Sequence, residues 1–184
     1  MCPKRRNLQP LTPAALEEMA LAYVARFATT QSKLRAYLRR KLRERGWAEE
    51  SSPPVEALVG RYADLGYVDD AAWARMKAGS LLRRGYGARR VGEALQVAGV
   101  DADLRDAVRP AELEQRRAAL VLARRRRFGP FAVQAPDRPA REKQVAAMMR
   151  AGHRLDIARR IVDAENPEAA EEWAESASGE DSCA

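Results

Sequence analysis

Three features of the sequence predict an all-α fold. Alanine, leucine, arginine and glutamate dominate the 184 residues, while aromatics are 6% and only three are phenylalanine, so helix formers are plentiful and strand formers scarce. Apolar residues recur at three- and four-residue intervals, the spacing that places them on one face of a helix. Glycines 46, 99 and 152 each close such a run, and each is separated from the next by 53 residues.

The elements follow in order. LEEMALAYVARFAT opens a first unit, and KLRAYLRRKLRER, residues 33 to 45, sets Leu34, Leu38 and Leu42 along one face before Gly46 stops the helix with left-handed backbone. WAEESSPP, residues 47 to 54, breaks the chain at Pro53 and Pro54, and VEALVGRYADLG supplies a third helix that Gly66 ends. In a second unit Asp69 or Asp70 can cap AAWARMKAGSLLRR, with Val68 placed to staple against Trp73. ARRVGEALQVAG carries Val91 and Leu95 ahead of Gly99, and DADLRDAV follows. A third unit reads AELEQRRAALVLARRRR, then PAREKQVAAMMRAG with Val145 and either Met148 or Met149 ahead of Gly152, then RLDIARRIVDAE. VQAPDRPA, residues 133 to 140, is its longest irregular stretch and the one expected to be flexible.

Leu42, Leu95 and Met148 keep the spacing of the stop glycines. The pattern therefore predicts nine helices in three tandem three-helix repeats, stacked into an elongated, curved array because one unit alone buries a poor core. The expected divisions are an N-terminal arm over 1–10, repeats over 11–66, 67–109 and 110–165, and an acidic, disordered tail over 166–184.

Charge and composition narrow the function. The net charge is +7, yet all 33 lysines and arginines precede residue 163 while residues 163 to 184 hold eight of the 26 acids, so the helical part is strongly basic and suits an acidic partner. No apolar run is long enough to span a membrane and the start MCPKRRNLQP lacks a signal segment, which predicts a cytoplasmic protein without membrane contact. Cys2 and Cys183 lie at opposite ends with no ligand spacing, and His153, the only histidine, follows a stop glycine as a cap or turn residue. With no phosphate loop, metal set or nucleophile context, the expectation is no catalytic residue, no metal, no cofactor and no enzyme.

Cationic clusters remain as candidate sites. Arg35, Arg39 and Arg43 run beside the leucine stripe of KLRAYLRRKLRER, flanked by Arg40, Lys41 and Arg45, with Glu44 the one acid in the helix. RRGYGARR, residues 83 to 90, places Arg83, Arg84, Arg89 and Arg90 on both sides of a turn in which Gly85 and Gly87 free the backbone. Tyr86 at its tip either packs back over the corner or stacks on a base or partner side chain. RRRRFGPF repeats the theme with Arg124, Arg125, Arg126 and Arg127 before an aromatic turn. Such faces either keep helices soluble or meet a polyanion, and the shortage of acids favours the polyanion.

RYADLGYVDDAAWARMKAGSLLRRGYGARRVGEALQVAGV, residues 61 to 100, resembles the second repeat of the RecX regulatory proteins, and KLRAYLRRKLRERGW resembles their first-repeat helix. The similarity covers roughly residues 20 to 105. Ala88 stands where the family usually has proline after the turn, VQAPDRPA interrupts the third unit, and an acidic tail follows it. The resemblance implies an all-helical three-repeat protein that binds the RecA filament on single-stranded DNA, inhibits recombinase and ATPase activity, and so modulates DNA repair, recombination and the SOS response. The three cationic clusters with Tyr86 are then the expected contacts to RecA or DNA, the DNA bound weakly and without sequence preference because arginines facing phosphates read no base. A basic three-helix unit also suits an autonomous helix-turn-helix reader of duplex DNA.

Repeats stacked in a row leave no closing interface, so the sequence predicts an elongated monomer. Small-angle scattering checks it: the radius of gyration is expected to exceed about 16 Å, the value for a compact domain of this length, and a globular profile at that value would refute the array.

Overall fold

The computed structural model of the chain describes residues 9–176, and among these it contains ten α-helices, one 3-10 turn and a single isolated bridge, Leu11 to Trp47. In order they are α1 (Pro13–Arg26), α2 (Gln31–Arg45), α3 (Val55–Asp64), α4 (Asp70–Arg83), α5 (Ala88–Val97), α6 (Ala102–Ala107), α7 (Glu112–Arg126), the 3-10 turn Gly129–Phe131, α8 (Arg138–Arg150), α9 (Leu155–Val162) and α10 (Pro167–Glu175). Each of the nine expected helices is present, and one more follows them. The arm over 1–8 and the last residues from 177, with Cys2 and Cys183, lie outside the described residues. The chain divides into two compact units, Met1–Trp73 with Ala98–Val100, and Ala74–Val97 with Asp101–Ala184.

In the first unit Leu16 and Ala20 of α1, Leu34 and Leu38 of α2, and Leu58, Val59 and Tyr62 of α3 close one core. Leu34 and Leu38 are fully buried as the stripe predicts, and Leu42 packs at the margin. Thr12 and Thr30 cap α1 and α2 by accepting the amides of Ala15 and Lys33. The Thr30 hydroxyl also donates to the Ala98 carbonyl at 2.6 Å. The aspartate pair divides its work: Asp69 caps α4 by accepting from the Ala72 amide, whereas Asp70 accepts from the Gln31 amide at 2.8 Å, satisfying an otherwise unpaired donor at the start of α2.

In the second unit Leu122 and Ala123 of α7, Val145 and Met148 of α8, Ile157 and Ile161 of α9, and Ala170 and Ala174 of α10 share one core. Of the two candidate methionines, Met148 is buried and Met149 is 41% exposed. The loop between the 3-10 turn and α8 is shorter than the stretch 133–140, because Asp137 caps α8 by accepting from the Ala140 amide and brings residues 138–140 into the helix.

The tail expected to be disordered from 166 is helical over Pro167–Glu175. Asn166 caps it through the Ala169 amide, Pro167 suits the first helical position, and Ala170 and Ala174 form an apolar stripe against α7. Two of its four acids are matched by α7: Arg117 pairs with Glu175, and Arg124 with Glu171. Arg116, only 6% exposed, lies 4.5 Å from the Trp173 ring centroid and bonds Glu112 as well as the Ser176 side chain. A charge buried this deeply is tolerated because its donors are used and its plane stacks on indole.

Glycines 46, 99 and 152 all adopt positive φ, at 85°, 70° and 99°. Gly152 has a second duty. A Cβ on Gly87 would stand 2.3 Å from the Gly152 carbonyl, and one on Gly152 would meet the Arg90 amide at 2.6 Å. The turn after α4 and the turn after α8 therefore touch backbone to backbone. Two hydrogen bonds seal the contact, from the Gly87 amide to the Ala151 carbonyl at 3.0 Å and from the Arg89 amide to the Gly152 carbonyl at 3.2 Å. Gly87→Ala is expected to cost about 3 kcal/mol by overpacking. Gly92→Ala, inside α5 where nothing lies within 4 Å of an added Cβ, should instead gain about 0.5–1 kcal/mol. Urea denaturation of the two variants checks this; equal stabilities would refute the backbone contact.

Candidate functional site

The RRGYGARR turn is built from two helix ends. Arg83 closes α4, Gly85 turns the chain at φ 79°, and Arg89 and Arg90 occupy the first turn of α5. Gly85 is buried against α7, where a Cβ would lie 2.9 Å from the Leu122 amide nitrogen. The glycines are thus packing residues, fixed from behind by α7 and the Gly152 turn. Arg83, Arg84, Arg89 and Arg90 stay exposed on this fixed turn, and Tyr86 is half-buried with the Arg84 guanidinium 5.3 Å from its ring centroid. Glu93, one turn along α5, pairs with Arg89 at 2.5 Å and Arg90 at 3.1 Å. Arg89 also donates to the Met149 carbonyl at 2.9 Å.

His153 stands behind the same turn. It is 6% exposed, and its Nε2 lies 3.0 Å from the Gly85 carbonyl. A carbonyl can only accept, so Nε2 carries the proton and Nδ1 is left buried without a partner. The residue read as a cap or turn histidine is a buried strut between the two turns. Burial pushes the imidazole below its ordinary value, and the bond to Gly85 partly offsets this.

The α2 cluster lies in the first unit and is less free than its sequence suggests. Glu56 of α3 accepts from Arg35 at 2.8 Å and Arg39 at 2.9 Å, while Glu44 pairs with Lys41 at 2.6 Å and Arg40 at 3.6 Å. The hydrogen bond from Arg35 holds the Glu56 carboxyl below the usual carboxylate range, and that from Lys41 does the same for Glu44. Arg43 is exposed without an ion pair among the described residues.

Beside these cations is an aromatic ledge that sequence reading missed. Tyr23 stacks on Tyr37 at 4.2 Å, Phe27 lies 5.4 Å from Tyr23, and Phe27 is half exposed. Arg40 sits 5.6 Å from the Tyr37 centroid. The four-residue spacing of Tyr23 and Phe27 was visible in the sequence, but their pairing across helices with Tyr37 was not.

On α7, Arg124 is tied to Glu171 and lies 5.8 Å from the Phe131 centroid, whereas Arg125, Arg126 and Arg127 are exposed. Arg127 adopts a left-handed φ of 55° that ends the helix. Among the described residues no group of three or more His, Cys, Asp or Glu side chains could hold a metal, and no helix is long and apolar enough to cross a membrane.

The depressed imidazole gives a pH dependence of definite sign. The unfolded chain takes up a proton that folded His153 resists, so its contribution is complete above about pH 6.5, the ordinary histidine value, and declines as pH falls below it. The melting temperature is expected to drop more steeply between pH 7 and 5 in the parent than in His153→Gln, which keeps a neutral donor for Gly85. Parallel thermal melts across that range check it; superimposable slopes would refute the buried neutral imidazole.

No protein-family model matches the chain. It is 36% identical over 177 residues to "Regulatory protein RecX" of Myxococcus xanthus, covering 90% of this chain and 91% of that one. It is 39% identical over 110 residues to the protein of the same name in Thermus thermophilus, covering 59% of this chain and 71% of that one. In structure it resembles RecX from Lactobacillus salivarius with a TM-score of 0.65 at 15% identity, over 79% of this chain and 91% of that one. With that similarity running nearly end to end in the Myxococcus relative, and with the same helical fold, the chain belongs to the RecX family of regulatory proteins.

Proposed function

We propose that the protein binds the RecA recombinase filament on single-stranded DNA and inhibits strand exchange and ATP hydrolysis, modulating recombination and repair in the cytoplasm. Family membership supports this reading, and the observation that carries it is the arginine turn. Four exposed guanidiniums are presented on backbone that Gly85, Gly87 and Gly152 hold in place, so little ordering entropy is lost when an anionic surface meets them.

In this reading Arg83, Arg84, Tyr86, Arg89 and Arg90 form one contact. Arg35, Arg39, Arg40, Lys41 and Arg43 form another, with Phe27 and Tyr37 offering a face to an unstacked base. Arg125, Arg126 and Arg127 add a third, in which Arg124 takes part by leaving Glu171. The three-repeat array belongs to the same proposal, since a row of units suits the groove of a helical filament. Inhibition needs no chemistry from this chain: a wedge across neighbouring protomers blocks a second DNA or holds the filament where hydrolysis is slow. The protein acts as a monomer without a cofactor.

The test is Arg89→Gln with Arg90→Gln, which removes two charges without setting new carboxylates against Glu93. In a RecA ATPase assay on single-stranded DNA, half-inhibition is expected to require about tenfold more variant than parent, a change of about 1.4 kcal/mol in binding. Circular dichroism and melting should match the parent. A variant that melts like the parent and inhibits equally would overturn the assignment, and sequence-selective duplex binding without RecA would indicate a helix-turn-helix reader instead.

A further inference from the structure

The second unit contains a groove of about 810 Å³ bounded by α5, α6, the start of α7 and the α8–α9 turn. Its walls include Val91, Leu95, Val108 and Leu155, all aliphatic, together with Met149. Met149 and Leu155 are 41% and 42% exposed, although both are large apolar side chains. Five arginines, 89, 105, 109, 150 and 154, also line it, against one carboxylate, Asp106.

The arginines are unevenly satisfied. Arg89 and Arg154 pair with Glu93 and Asp156, while Arg105, Arg109 and Arg150 have no ion pair among the described residues. The Nε of Arg105 is buried with no hydrogen-bond partner, while the residue as a whole is only partly buried. A guanidinium in that condition is matched by a carboxylate or a phosphate.

The walls decide between these. No Phe, Tyr or Trp lines the groove, and its one imidazole, His153, is buried. A single strand would find guanidiniums but no ring to stack on, and stacking is a large part of strand affinity. An aliphatic floor under a cationic rim instead complements a helix with leucine-like residues on one face and acids on its flanks. We propose that this groove docks an acidic amphipathic helix of a partner protein, its apolar face on Met149 and Leu155 and its carboxylates on Arg105, Arg109 and Arg150. The proposal does not depend on RecA being that partner.

The experiment uses the full chain and a fluorescein-labelled synthetic peptide of about 16 residues, long enough to form a helix, with leucines at i, i+3, i+4 and i+7 and glutamates elsewhere. Controls are a scrambled peptide of the same composition and an oligothymidylate of about 15 nucleotides, within the range that single-strand sites cover. Because His153 is the only histidine and forms part of the wall, its imidazole C–H resonances report occupancy directly. The patterned peptide is expected to bind by anisotropy and to shift those resonances. Arg109→Glu with Arg150→Glu, and separately Leu155→Glu, should each weaken it about tenfold while melting like the parent. Equal binding of the scrambled peptide, unmoved His153 resonances, unchanged affinity in both variants, or an equal shift produced by oligothymidylate would overturn the proposal. RecA ATPase inhibition by the same proteins is a separate readout, so failure here leaves the filament reading standing, and the converse.

Discussion

The second unit depends on one approach that only glycine permits. Where Gly87 meets Gly152, the backbone after α4 and the backbone after α8 come closer than any side chain would allow. From that contact follow the amide bonds between the turns, the placement of His153 under Gly85, and the outward presentation of the arginines. The exposed arginine face and the packing contact are the two sides of the same eight residues. A sequence constraint that looks like one for recognition is therefore also a constraint on volume.

The helices were legible because their signals are local. Leucine and valine spacing, stop glycines and capping residues act over four or five positions, and at Leu34, Leu38, Val91, Leu95 and Val145 the residue read as buried is buried. What stayed hidden needed partners distant in sequence. The acids of 166–175 read as a solvated tail because their counterions, Arg117 and Arg124, lie some fifty residues away on α7. Asp70 looked like a second cap for its own helix, yet it serves α2. His153 looked like a turn residue because nothing in its neighbourhood announces the Gly85 carbonyl that buries it.

The arginines of the cationic clusters were legible in the sequence, but their electrostatic state was not. Counting charge along α2 finds one acid; packing α3 against it brings Glu56 between Arg35 and Arg39. On α5, Glu93 stands between Arg89 and Arg90 in the same manner. Exposed pairs of this kind add little to stability, so they do not account for why the carboxylates are there.

A carboxylate held between two arginines is also a tethered competitor. Any phosphate or acidic side chain that takes Arg35 and Arg39 must first displace Glu56, whose effective concentration at those guanidiniums is fixed by the fold and does not change with dilution. The α2 face thus presents a lower effective charge to an incoming anion than its count of cations suggests. Because Glu56 and an incoming anion carry the same sign of charge, salt would screen both sides of such an exchange, and an anion bound at this face would show a shallower ionic-strength dependence than the number of its cations suggests.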